Sequence, residues 1–188
     1  MSGGIEDHEI ISSKQVFDGK VVKVFLDDVR LPDGRKARWE RVQHPGAVGI
    51  VPLLDERRVV MVRQYRHAVR GDILEIPAGK IDRDEAPVDC ARRELVEEVG
   101  YRAGEMIKLA EFYNSPGYSD ELFFLYLGKD LSPEVGESEP DEFLEVVEVD
   151  LEKALSMISR GSIRDAKSII GITLTGLLLR GETEPYRD

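Results

Sequence analysis

Apolar and polar residues alternate from Gln15 to Val42 around two turn signals, Asp18-Gly19 and Pro32-Asp33-Gly34, which predicts antiparallel strands. Residues 1–14 lack such a pattern and read as a polar, frayed end. Two β-branched runs, Val48 to Leu54 and Val59 to Val62, flank Asp55-Glu56-Arg57-Arg58 and predict a hairpin. Ile73 to Ile76 reads as a short strand stopped by Pro77-Ala78-Gly79. From Pro87 to Val99 the period changes: Val88, Ala91, Leu95 and Val99 form one apolar stripe, with Gly100 as the stop, so a helix is expected. Ile107–Tyr113 and Leu122–Leu127 predict strands around Asn114-Ser115-Pro116-Gly117, and Phe143–Val149 predicts another. Leu151–Ser159 and Asp165–Leu179 read as helices. Strands mixed with three helices indicate an α/β (α+β) domain in which helices cover a sheet. Residues 1–44 are expected to form a separate β subdomain and residues 45–188 the main domain.

Composition narrows the function classes. The 188 residues are 41% hydrophobic and 34% charged, as in an ordinary folded domain. The net charge of −11 argues against nucleic acid or an anionic membrane as partner, since both need a basic face. The lone cysteine, Cys90, excludes a disulfide framework and reads as a small packing residue. With no basic-then-apolar leader and no membrane-length apolar run, the expected location is the cytoplasm. His8, His44 and His67 lack metal-ligand spacing.

The position of the charge changes the picture more than its total. Asp130 to Glu152 holds ten acids and no Lys or Arg, leaving the rest of the chain almost neutral. On the predicted helix, Glu94, Glu97 and Glu98 are related as i, i+3 and i+4 and share one face. Like charges at that spacing are unfavourable by a few tenths of a kcal/mol per pair, a conflict that a bound cation relieves. Carboxylates are hard ligands suited to Mg²⁺ or Mn²⁺ rather than zinc. A solvated glutamate face is the other reading, and either way the helix should dock by its stripe and present these acids outward.

The whole segment decides how these acids are read. It runs Gly79, five residues, Glu85, seven residues, then Arg93-Glu94-Leu95-Val96-Glu97-Glu98-Val99-Gly100-Tyr101. This resembles the Nudix hydrolase box at every specified position, with Tyr101 an aromatic variant of a usually aliphatic one. Downstream, Tyr113-Asn114-Ser115-Pro116-Gly117-Tyr118-Ser119-Asp120-Glu121 resembles the Ser-Pro-Gly element of the ADP-ribose pyrophosphatase subfamily, although alone it is an ordinary turn. His44-Pro45-Gly46-Ala47-Val48, Arg63-Gln64-Tyr65-Arg66, Glu75-Ile76-Pro77-Ala78-Gly79 and Asp165-Ala166-Lys167-Ser168 look like the same subfamily. The likeness covers residues 38 to 175.

The resemblance implies a Nudix fold: a mixed sheet between helices, with the N-terminal antiparallel sheet as an extension. It implies Mg²⁺-dependent hydrolysis (Mn²⁺ being the other candidate cation) of the diphosphate of ADP-ribose to AMP and ribose 5-phosphate. Glu94, Glu97, Glu98 and the Ala78 carbonyl would hold metal. Glu85 would support the loop, Arg93 would orient the glutamates, and Gly79 and Gly100 would permit the tight helix ends. A diphosphate needs a cationic clamp, and Arg66 is the candidate, with Arg63 next. Strand alternation admits one of the two. Trp39 sits where related enzymes stack adenine, although packing in the sheet core is an equal reading. Arg41 is expected at phosphate or ribose, Pro116 beside substrate, and Glu75 at substrate or metal. Trp39 and Arg41 would reach a partner chain's site, implying a homodimer. Glu142, or else Glu139, resembles the mobile-loop glutamate that acts as general base, and Glu97 is grouped with the catalytic acids. The rival readings are another specificity, such as GDP-mannose or a dinucleotide, and a non-catalytic nucleotide-sensing module.

Overall fold

A computed structural model describes residues 8–136 and 143–187. It divides into two compact units, Met1–Gly46 with Tyr113–Leu122, and Ala47–Phe112 with Phe123–Asp188.

In the first unit, β1 (Glu9–Asp18), β2 (Lys23–Arg30) and β3 (Lys36–Gln43) form an antiparallel sheet in that order. The Pro32-Asp33-Gly34 turn closes β2 on β3: Gly34 takes φ +86°, and the Leu31 and Arg35 backbones bond across it at 2.8 Å. β1 corrects the expectation of a frayed end. It pairs with β2 from Glu9 onward, held by polar cross-strand contacts: Ser12 to Asp28, Ser13 to Asp27, and Arg30 to Glu9 at 3.0 Å. Every residue of β1 is exposed, so it lacks the hydrophobic alternation that reveals a half-buried strand. The Ser-Pro-Gly turn belongs to this unit and docks on the end of β3, where the Val42 amide donates to the Tyr118 carbonyl at 2.7 Å.

The second unit is built on β4 (Ala47–Pro52), buried along its whole length. It runs parallel to β9 (Leu122–Pro133) and antiparallel to the short β7 (Ala78–Lys80), giving the order β7-β4-β9-β8 with β8 at Tyr101–Tyr113. A second antiparallel sheet has the order β10-β5-β6, with β5 at Arg58–Arg66, β6 at Gly71–Glu75 and β10 at Leu144–Asp150. Alternation sorts the core. Val48, Ile50, Val60 and Val62 pack with Cys90, Ala91, Leu95 and Val99 of α1 (Pro87–Val99). Val51, Leu53, Val59 and Met61 pack with Ala154 of α2 (Leu151–Ser159) and Ile172 of α3 (Ala166–Leu179). The mixed sheet thus lies between helices, as the Nudix resemblance implies.

The expected hairpin of β4 and β5 does not form. Asp55 builds the turn by accepting from the Arg57 and Arg58 amides at 2.8 and 2.9 Å. Beyond the single Leu53–Val59 bridge the strands part into different sheets. Both are buried on two faces, and each finds a neighbour on both edges that the other could not supply.

Candidate active site

Helix α1 has the boundaries its sequence predicts. Pro87 presets its first turn and Gly100 ends it at φ +71°, returning its N–H to the Val96 carbonyl at 3.0 Å. Its acids, however, are not presented outward. Glu94 and Glu98 are 9% and 7% exposed, folded onto the β7 segment that precedes the helix. The Ala78 amide donates to Glu98 Oε2 at 3.0 Å. A Cβ on Gly79 would lie 1.9 Å from the Glu94 carboxyl, so only glycine lets the loop and this carboxylate approach.

Arg93 ties the acids together. Its Nε and Nη2 donate to the two oxygens of Glu85 at 2.9 and 3.0 Å, a bidentate fork. Its Nη1 donates to Glu94 Oε1 at 2.7 Å and to Glu97 Oε2 at 2.9 Å. The Arg93 bond is the largest cause holding the Glu85 carboxyl down at about 2, and the same acids push the guanidinium well above its ordinary range. One cation thus bridges three carboxylates, two of them on the helix face where repulsion was expected.

Among the described residues, no three His, Cys, Asp or Glu side chains are arranged as a closed metal cage. The donor set nevertheless fits a hard divalent cation: three carboxylates, two nearly buried, stand beside a loop that only glycine lets approach so closely. Glu139 and Glu142 lie outside the described residues.

On β5, alternation separates the two arginines. Arg63 faces Glu145 at 3.0 Å on the surface. Arg66 donates its Nε to Glu75 Oε1 at 2.7 Å. Glu75 is 2% exposed, and its second oxygen is bonded by Lys167, a residue to which no local sequence pattern gives a role. Its only signal was the Asp165-Ala166-Lys167-Ser168 motif at the start of α3.

The first unit holds a cavity of about 800 Å³ that brings Trp39, Arg41 and Pro116 together with Tyr113, Tyr118 and Asp120. Trp39 is 49% exposed, so the core-packing alternative for it fails. Arg41 lies over the Phe25 ring and donates to the buried carboxylate of Asp27 at 2.9 Å. The Ser13 hydroxyl, and then Arg41, hold Asp27 below the usual carboxylate range. His44 is structural, its Nδ1 accepting from the Gly46 amide at 3.1 Å. Cys90 is buried, and that burial raises its thiol far above the ordinary range, as fits a packing residue rather than a nucleophile.

Comparison with known proteins gives these arrangements a family. The NUDIX domain model matches residues 43–169. The chain is 42% identical to the ADP-ribose pyrophosphatase of Bacillus subtilis strain 168, over 88% of this chain and 91% of that one. It is 41% identical to the methanol dehydrogenase activator of Bacillus methanolicus, over 90% and 93% of the two chains. A crystal structure described as an ADP compounds hydrolase superposes with a TM-score of 0.85 at 25% identity, covering 96% of this chain and 98% of that one. No helix among the described residues is long and apolar enough to cross a membrane. The Gly79 loop, the glutamates on α1 and their Arg93 bridge all lie within the matched residues, and the chain belongs to the NUDIX domain family.

Proposed function

We propose that the protein hydrolyses the diphosphate of ADP-ribose to AMP and ribose 5-phosphate, with Mg²⁺ as cofactor. Its family and its ADP-ribose pyrophosphatase relatives make it a Nudix hydrolase acting on diphosphate bonds. The observation that carries the metal requirement is the glutamate cluster of α1, gathered by Arg93 against the Gly79 loop, and the similarity to ADP-ribose pyrophosphatases supports the substrate.

Glu94, Glu97, Glu98 and the Ala78 carbonyl would hold the cation. When bound, it neutralises the diphosphate and lowers the pKa of a water. The protein supplies the rest. Arg93 keeps Glu94 and Glu97 on one side of the helix, and the Ala78 amide fixes Glu98. Arg66 offers its terminal nitrogens to a phosphate. Glu142, with Glu139 as the alternative in the same segment, takes the proton from the attacking water. The bridging P–O bond breaks as the water oxygen bonds to phosphorus. The aromatic cavity of the first unit receives adenine on Trp39.

The direct test is a panel of nucleoside diphosphate compounds with Mg²⁺, scored for mononucleotide release. ADP-ribose is expected to yield AMP, and EDTA to abolish the reaction. Turnover of GDP-mannose far above ADP-ribose would move the specificity elsewhere in the family. Binding without Mg²⁺-dependent hydrolysis would leave a nucleotide sensor.

The N-terminal sheet is the proposed homodimer face, because β1 exposes Ile10 and Phe17 at 63% and 55%. Trp39→Ala is expected to raise KM for ADP-ribose about tenfold, the usual effect of losing a base-stacking platform. If Trp39 serves the partner's site, a one-to-one mixture of Trp39→Ala and Glu98→Gln chains, refolded together, should regain about a quarter of wild-type turnover at low substrate. Activity no higher than the average of the two parents would rule out a shared site.

A further inference from the structure

The first turn of α3 makes two contacts that folding alone does not call for. Asp165 caps the helix, accepting from the Ser168 amide at 3.0 Å and the Ser168 hydroxyl at 2.6 Å. That completes a cap. Yet the Ser168 hydroxyl also accepts from the Ile76 amide at 2.8 Å, and Lys167 turns away from solvent to bond the Glu75 carboxylate and Asp165 Oδ1. Ser168 is fully buried and the Lys167 side chain is 12% exposed. Consecutive residues of the helix thus grip consecutive residues of the chain just before the β7 loop.

The grip settles how Glu75 is used. One oxygen accepts from Arg66 Nε and the other from Lys167, so both sides of the carboxylate are occupied by cations. A carboxylate held on two sides cannot swing, and so it fixes the plane of the guanidinium bonded to it. Spending Nε on Glu75 leaves the two terminal nitrogens of Arg66, which bond to no other side chain among the described residues, on a side chain that is 39% exposed. Two N–H groups side by side are the fork that a phosphate takes.

We propose that Lys167 is a positioning residue: through Glu75 it orients Arg66 so that its terminal nitrogens meet the substrate's diphosphate. The inference rests on the reading that Arg66 binds phosphate, and goes beyond it by assigning Lys167 and Glu75 to the same clamp. Lys167 itself is spent on two carboxylates and does not touch substrate.

The test is a double-mutant cycle on the full-length protein, read in KM for ADP-ribose and in calorimetric binding of ADP, which needs no turnover. Lys167→Met should weaken both about tenfold while changing kcat less than threefold. Lys167→Arg, which keeps the charge, should recover most of the loss. In an Arg66→Met background, Lys167→Met should add less than twofold, because the clamp it serves is already gone. A further tenfold loss in that background would mean that Lys167 meets the ligand directly and would overturn the proposal. So would unchanged binding in Lys167→Met. If Lys167→Met does not fold, Glu75→Gln replaces it in the cycle with the same expectation. Failure of the wild type to bind ADP at all would instead remove the phosphate reading beneath the proposal, and the proposal with it.

Discussion

Glu98→Gln is expected to lower turnover of ADP-ribose by about a thousandfold or more, while leaving the melting temperature within about 4 °C of wild type. The two halves of this expectation come from different atoms. Glu98 Oε2 accepts the Ala78 amide proton at 3.0 Å, and the carbonyl of a glutamine can accept the same bond. The side chain keeps its volume and its place in a nearly closed site, so the fold has little reason to change. What is lost is a negative charge where the proposed cation needs it. Glu97 is more exposed, 30% for its side chain, and accepts from Arg93 Nη1 at 2.9 Å, so Glu97→Gln should cost less in stability and comparably in activity. Steady-state rates at saturating Mg²⁺, with thermal unfolding and Mn²⁺ binding on the same samples, check all of this. Near-wild-type activity in Glu98→Gln, or unchanged Mn²⁺ affinity, would sink the metal-ligand assignment. Glu142→Gln belongs in the same assay, where a loss below tenfold in both it and Glu139→Gln would remove the proposed base.

How much of this was legible in the sequence depends on the range of the interactions involved. Helix α1 could be bounded to the residue because its signals are local: Pro87 at one end, an αL glycine at the other, and a stripe between them. Its partner segment β7 was hidden. Pro77-Ala78-Gly79 read as the stop of the preceding strand, and only pairing with β4, about thirty residues away, makes Ala78–Lys80 a strand. The same limit explains β4 and β5, where the turn was recognisable but the choice of sheet belonged to β9 and β10. It also explains β1, whose stability lies in Ser-Asp and Arg-Glu pairs across the sheet rather than in an apolar face.

The candidate site follows the same rule. Spacing placed Glu94, Glu97 and Glu98 on one face, but could not say that the loop folds over that face and buries two of them. Alternation put Arg66 and Arg63 on opposite sides of the strand, and the contacts with Glu75 and Glu145 separate the two in that way. Lys167 lies 92 residues beyond Glu75, and no local pattern announces a pair at that distance. Trp39 could have been core or platform until its exposure was known. Residue chemistry was thus readable wherever the geometry was helical or strand-periodic, and unreadable where a loop brought distant segments together.

Replacing Arg93 should have the largest effect on stability, and pH gives the means of tracing it. Arg93→Met leaves Glu85, Glu94 and Glu97 without the cation they share, and breaking such a partly buried cluster costs about 3–4 kcal/mol at pH 7. Part of this is the linkage of Glu85, whose carboxyl lies at about 2 in the fold against 4.5 ordinarily. A depressed carboxyl stabilises the fold fully above its unfolded value, and that stability drains away as pH falls from about 4.5 to 2. The shift corresponds to at most about 3 kcal/mol, and partial exposure of the Glu85 side chain reduces it to about 2. Urea unfolding between pH 2 and 7 should therefore give a wild-type curve that falls through that window. Glu85→Gln should start lower by about 2 kcal/mol and fall less steeply. Arg93→Met should flatten the window as well, because without the guanidinium Glu85 titrates near its ordinary value in both states. Saturating Mg²⁺ at pH 7 should return part of the stability lost in Arg93→Met, since a bound cation then supplies the missing charge to Glu94 and Glu97. A wild-type slope retained by Arg93→Met below pH 4.5 would show that Glu85 owes its low value to something other than this arginine.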